Sequence, residues 1–237
     1  MLLSIIITAS FISSHPKIIF IKEVIESLNY IKNINLVNEN KTNVILSHDY
    51  NNNPKYNEYF KNLRNYVNKY NEENDFYHLT ILKRDTHGHL TGNIRNAINN
   101  CFSKYLLILQ HDLPFCKEFN IKTIIDDSEK NDNLKYIRFN SRKNIKRGWD
   151  ADEYNFFNNH NIKGVSGNNY ISTLAWSDRN HLVKRDYYIN TVLPICPDGG
   201  YMETFLNPLN NPKTHKIYGT YIYGLYYESQ YIIHKRA

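Results

Sequence analysis

Glycine is scarce in this chain, with 9 in 237 residues. None lies between Leu2 and Pro16, and none is arranged as GxGxxG or GxxxxGKS/T after a strand. Such loops cradle phosphates with backbone N–H groups, so their absence argues against the dinucleotide-binding and P-loop classes. A sugar nucleotidyltransferase also needs a glycine-rich amino-terminal loop around its triphosphate and is disfavoured for the same reason. Cysteine is rarer still. Cys101, Cys116 and Cys196 are odd in number and lack CxxC spacing, so neither a disulfide framework nor a structural zinc site is indicated. A reducing, cytoplasmic setting is the expectation. No run approaches 18 consecutive apolar residues, and the apolar opening 1–10 has no basic flank, so it reads as a first strand in a soluble or at most peripheral protein.

Excess charge is also small. Lys and Arg number 29 against 23 Asp and Glu, a net charge of +6 that suits anionic partners without naming one. Asn, Lys, Ile and Tyr are heavily used across every predicted element, which reads as the codon bias of an AT-rich genome. The length predicts one domain with a substantial core.

What is present is an alternation of strand and helix. Residues 2–8 form a first buried strand, and Ser13, Ser14 and His15 offer helix caps before Pro16. Apolar residues at helical spacing from Ile18 to Ile31 follow. A strand over 43–47 ends at His48 and Asp49. Residues 56–70 place Tyr56, Tyr59, Phe60, Leu63, Tyr66, Val67 and Tyr70 on one helical face, a packing stripe. A strand over 78–82 ends in Lys83, Arg84 and Asp85, and a loop over 86–92, with Gly88 and Gly92 as flexible points, leads to a helix over 93–102. The run 105–109 has no alternation, the mark of a strand buried on both faces. It stops at Gln110, His111 and Asp112, and Pro114 ends the segment. Strand and helix units in this order imply right-handed crossovers and a mostly parallel sheet. Ligands of such sheets bind beyond the carboxyl ends of the strands, which makes Asp112 a metal-ligand candidate at the crevice floor. Capping the turn before Pro114 is its alternative role.

Three stretches resemble family 2-like glycosyltransferases of the GT-A fold. They are Ser4-Ile5-Ile6-Ile7-Thr8 with Ile25-Glu26-Ser27-Leu28, then Gly92-Asn93-Ile94-Arg95-Asn96-Ala97, then Tyr105 through Asp112 in place of the DxD segment. In the carboxyl half, Trp176-Ser177-Asp178, Gly200-Tyr201-Met202-Glu203 and Ile233-His234 resemble the acceptor side, the catalytic acid and a late metal-binding histidine. The nearest likeness is to small glycosyltransferases of large DNA viruses that build capsid glycans, which implies a virus-encoded enzyme of the host cytoplasm. The fold implied is a single GT-A-like α/β domain with a mostly parallel central sheet flanked by helices. Residues 1–115 would form the nucleotide-sugar-binding half and 116–237 the acceptor-binding half.

The resemblance implies a metal-assisted, inverting transfer of a sugar from a nucleotide-sugar to a hydroxyl of a glycan or glycoprotein. Mn²⁺, or Mg²⁺, would be held by Asp112 and His234, although Gln110 stands where the family triplet has its first acid. A final strand over 231–234 with an exposed histidine is the alternative for His234. Thr8, Ala9, Ser10 and Asp49 occupy positions that grip base and ribose, and Arg84, Gly92, Arg95, Asn96 and His111 complete the donor set. Lys83, Arg84 and Arg95 are candidates for stabilising the departing diphosphate. Glu203 is the expected general base, with a helix-start role as its alternative, and Asp198 is its substitute. Trp176 and Asp178 are expected to orient the acceptor sugar. Two other readings compete: nucleic-acid binding through the basic run 135–147, where Tyr136 and Phe139 interleave with Arg138, Arg142, Lys143, Lys146 and Arg147, and an inactive glycosyltransferase-like binding domain.

Overall fold

The structure, a computed structural model, describes residues 1–13, 17–144 and 161–235. The expected caps Ser14 and His15, and Pro16, lie outside the described residues, as do Lys146 and Arg147 of the basic run. In chain order the elements begin with β1 (Leu3–Ala9), α1 (Ile19–Glu26), β2 (Ile31–Lys32), β3 (Thr42–His48), α2 (Tyr56–Glu73) and β4 (Tyr77–Lys83). Next come α3 (His89–Ile98), β5 (Tyr105–Gln110), β6 (Phe119–Asn120), α4 (Ile121–Lys130) and β7 (Tyr136–Arg138). The series closes with β8 (Ile162–Lys163), β9 (Asn169–Ser172), β10 (His181–Lys184), α5 (Arg185–Tyr187), α6 (Met202–Leu206), α7 (His215–Tyr218) and β11 (Thr220–Tyr223).

One nine-stranded sheet runs in the order β4-β3-β1-β5-β10-β7-β11-β9-β8. Its first four strands are parallel, as strand and helix alternation demands, whereas β10 enters antiparallel between β5 and β7 and makes the far half mixed. Every residue of β1 is buried, and the reason is layering on both faces. Leu3, Ile5 and Ile7 point to the side packed by α1, α2 and α4, while Ile6 joins Ile94, Ala97 and Ile98 of α3 on the other. Each such Ile or Leu contributes roughly 1.5–3 kcal/mol by leaving water.

The aromatic stripe of α2 packs as its spacing predicts, with Tyr56, Tyr59, Phe60, Leu63 and Val67 buried. The expected first helix is shorter. It stops at Glu26 because Ser27 turns its hydroxyl onto the Val24 carbonyl (2.7 Å), the chain tightens over Ser27–Tyr30, and β2 then pairs with β6. Helix α3 begins at His89, four residues before its predicted start, and a final strand over 231–234 reduces to one bridge between Ile232 and Phe115. No helix among the described residues is long and apolar enough to cross a membrane.

Sheet register decides which loops meet. Ala9 lies opposite His48, and Thr8 opposite Gln110, so the carboxyl ends of β1, β3 and β5 stop level. Since β10 is antiparallel to β5, with His181 opposite Ile108, the residues that precede β10 arrive at the same edge.

Candidate active site

Beyond that edge lies a cavity of about 200 Å³. Thr8, Ala9, Ser10 and Asp49 form its floor, His87, His89, Leu90 and Asn93 one wall, and Gln110, His111 and Asp178 another, with Gly200 and Tyr201 at the lip. The wall of histidines exists because the loop after β4 folds back over the strand ends. Gly88 N–H donates to Asp49 Oδ1 (2.9 Å), Gly199 N–H donates to the Gly88 carbonyl (3.1 Å), and Thr91 Oγ1 donates to the Gly200 carbonyl (3.0 Å). A side chain at Gly88 would displace the Arg84 guanidinium, since a Cβ there would fall 2.5 Å from it.

Asp49 is 1% exposed. His48 fixes its position from below, packed among Tyr56, Tyr59 and Phe60. The Asp49 carbonyl can only accept, so His48 Nδ1 donates to it (2.8 Å) and Nε2 accepts from the Tyr59 hydroxyl (2.9 Å). Burial lowers the His48 pKa to about 4, which keeps this ring neutral. On the cavity side, Asp49 Oδ2 is buried with no hydrogen bond, and His87 Nδ1 stands 3.3 Å away. His111 presents a second unpartnered buried atom, Nε2; burial holds its pKa below the ordinary value against the opposing pull of Asp112. Buried polar atoms without partners cost stability, and ligand groups can satisfy them.

Opposite stands a carboxyl pair. The Asp178 backbone N–H donates to Glu203 Oε1 (3.2 Å), while the Gln110 amide donates to the Asp178 carbonyl (3.1 Å). The Asp178 pKa is pushed up to about 7, first by burial and then by the charge and hydrogen bond of Glu203. Asp178 lies on the cavity wall, and Glu203, in the first turn of α6, stands behind it. Of the two carboxyls, Asp178 is therefore the one that faces the cavity.

Asp112 and His234, 122 positions apart, come together with His234 Nε2 3.2 Å from Asp112 Oδ2. A short ladder imposes this: Lys235 N–H donates to the Asp112 carbonyl (2.9 Å), and Ile233 N–H donates to that of Pro114 (3.0 Å). No third His, Cys, Asp or Glu completes a metal cluster among the described residues. One carboxylate and one imidazole nonetheless fit a hard or borderline divalent ion whose remaining positions go to phosphate oxygens and water.

Several expected donor contacts do other work. The Arg84 guanidinium is held by the carbonyls of Thr86 and Gly92 and lies 3.7 Å from Asp49 and 3.5 Å from Asp198. Gly92 makes room for it, since a Cβ there would lie 2.9 Å from the guanidinium carbon. Arg95 binds Asp198 (2.8 Å) and the carbonyls of Leu193 and Cys196 (both 2.5 Å), which leaves Asp198 engaged by two arginines rather than poised as a base. Asn96 reaches Ser47 Oγ (3.3 Å), and Lys83 lies 5.2 Å over the rings of Tyr56 and Phe60. These residues brace the wall without lining it.

Trp176 is 1% exposed and packs on Tyr136 and His181, so its ring is unable to stack on a sugar. In the basic run, Tyr136, Arg138 and Phe139, three of the five described residues of its interleaved pattern, are buried in and beside β7. Residues that pattern reading missed are His87, His89, Leu90, Asn93, Gly200 and Tyr201. Asn93, Gly200 and Tyr201 stood inside segments with a family likeness but received no role there, and for His87, His89 and Leu90 the hints were the nearby glycines Gly88 and Gly92.

No protein-family model matches the chain, and no curated protein matches it in sequence. Its fold is similar to that of residues 1–349 of TarS from S. aureus. Against the structure in complex with UDP-GlcNAc the TM-score is 0.58 at 13% identity, covering 100% of this chain and 59% of that one. Against the UDP complex the TM-score is 0.57 at 12% identity, with coverage of 100% and 61%. The chain thus spans about three fifths of the length of those solved chains. Similarity at this identity speaks to the fold, and the α/β, GT-A-like architecture expected from the sequence is the one found.

Proposed function

We propose that the cavity binds a nucleotide-sugar and that the chain transfers its sugar to a hydroxyl of a glycan or glycoprotein. The observation that carries this reading is the convergence, at one sheet edge, of Asp49, His111 and the Asp178 carboxyl on one cavity, with the Asp112–His234 pair beside it on the turn that follows β5. Among the described residues that line the cavity there is no Lys or Arg, so a diphosphate held there needs a cation from elsewhere. Asp112 and His234 would hold Mn²⁺ or Mg²⁺, which supplies positive charge where the diphosphate departs.

Asp49, with Thr8, Ala9 and Ser10, forms the floor on which base and ribose would lie, and Asp49 Oδ2 would accept a donor N–H or hydroxyl. The acceptor hydroxyl approaches the anomeric carbon from the face opposite the diphosphate. As the new C–O bond forms and the bond to phosphate breaks, the hydroxyl proton passes to Asp178, which explains the value of a carboxyl that titrates near neutrality. One base and a direct displacement give inversion. With Trp176 in the core, the exposed ring of Tyr201 at the lip, 6.1 Å from that of His89, is the aromatic surface offered to a sugar.

The ligands of the two TarS complexes make UDP-sugars the first donors to try. Release of nucleoside diphosphate is measured with a panel of nucleotide-sugars, with and without Mn²⁺, in the wild type and in Asp178→Asn. Turnover with one donor class, lost in the variant while donor binding persists, supports the proposal. Equal turnover by the variant removes Asp178 from the reaction.

A further inference from the structure

Gln110 occupies the position where a first acid was expected, and its surroundings supply a reason for the amide. Its Nε2 donates to the Asp178 carbonyl (3.1 Å), and the same amide reaches the Asp178 carboxyl group. Its backbone N–H donates to Asn180 Oδ1 (3.1 Å), and Asn180 Nδ2 donates in turn to the Leu113 carbonyl (2.6 Å). The turn that carries Asp112 and the loop that carries Asp178 are thereby clipped together through Gln110 and Asn180.

Resting on the reading of Asp178 as the base, we propose that Gln110 is a positioning residue that requires an amide: it fixes the Asp178 loop against the end of β5. A carboxylate at 110 would lose the donated hydrogen bond. It would also become the third acid in a group that already holds Asp178 and Glu203. The other ionisable groups around Asp178 are the adjacent Arg179 and the buried phenols of Tyr136 and Tyr188, neither of which adds negative charge at neutral pH. A third negative charge favours the protonated, inactive form of the base.

Two length-matched substitutions separate these effects. In Gln110→Glu the acid limb of the kcat/KM profile should move up by about one pH unit, so that turnover at pH 7 falls about fivefold and recovers above pH 8. In Gln110→Met, which removes the donor without adding charge, the limb should move less, with KM for the donor changed less than twofold in both variants. A second readout needs no turnover: in ¹³C-carboxyl-labelled protein, the Asp178 titration should rise by the same amount in Gln110→Glu. Tighter Mn²⁺ binding and faster turnover in Gln110→Glu would overturn the proposal, because position 110 would then be a metal-ligand position. A raised KM with kcat unchanged, or an unmoved Asp178 titration, would overturn it as well. If the wild type transfers from no nucleotide-sugar, the transferase reading fails, while the titration still decides the role of Gln110.

Discussion

The two long walls of the cavity are built differently. The floor and the histidine wall stand on β1, β3 and β4, adjacent parallel strands paired in register, of which β1 and β3 are buried on both faces. The Asp178 wall arrives from the opposite direction, on a loop that precedes an antiparallel strand inserted between β5 and β7. Strand order alone places the floor, while the histidine wall also needs the bonds from Gly88 to Asp49 and from Gly199 to Gly88. The second depends on long-range contacts: Gln110 to Asp178, Asp178 to Glu203, and the Trp176 ring against Tyr136 and His181. On the proposed function, the first wall would carry recognition, and the second carries the carboxyl whose pKa is raised.

Asp178→Asn sharpens this contrast most. Turnover should fall by about 10²–10⁴, the usual worth of a positioned general base, while nucleotide binding at the first wall stays within about twofold. Comparable loss of binding would show that the walls do not divide the work. Trp176→Ala attacks the support of the second wall and should cost roughly 3–5 kcal/mol in a denaturant titration, since it empties a large core site. A loss near zero would return Trp176 to the acceptor surface.

The first wall has its own weakness, at acid pH. Folded His48 titrates at about 4 against 6.5 unfolded, so below pH 6.5 the unfolded chain takes up a proton that the folded chain refuses. This contribution is intact above pH 6.5 and is lost progressively as the pH falls towards 4, amounting to about 3 kcal/mol. Buried His181, with its pKa lowered to about 3 mainly by burial, acts in the same direction. Stability curves between pH 7 and 4 should show the fall, and a His48→Gln variant should show a shallower one.

A smaller effect returns to the second wall. Glu203→Gln removes a like charge from Asp178, so the acid limb of the rate profile should move down by about one unit while turnover persists. Abolished turnover would restore Glu203 as the base. Asp198→Asn is expected to cost least, about 0.5–1 kcal/mol in thermal unfolding, because the carboxylate it alters is half exposed.

The sequence revealed the first wall better than the second. Apolar runs that stop at Asp49 and at Asp112 announce strand ends, and parallel order then places both at one edge. The Asp112–His234 pairing is carried by family likeness, because the ladder from Ile233 to Pro114 joins residues more than a hundred positions apart. Arg84, Gly92 and Arg95 sit in the right segment of chain, yet their donors and faces are used within the fold, which depends on where the loop 197–201 returns. Trp176 follows the commoner fate of a large aromatic ring. His87 and His89 escaped notice, and Tyr201 was read only as part of a motif, because nothing local shows that two glycine-bearing loops close on each other through Gly88 and Gly199.

The most direct test of the account is thermal stabilisation by a nucleoside diphosphate, with and without Mn²⁺, in the wild type and in Asp112→Ala. A ligand that binds only the folded state at a hundred times its dissociation constant adds about 2.7 kcal/mol, a shift of several degrees. The account predicts that shift for one nucleotide in the wild type with the cation, and its loss when either the cation or the Asp112 carboxylate is removed. Equal stabilisation of Asp112→Ala, or none by any nucleotide under any condition, would contradict it.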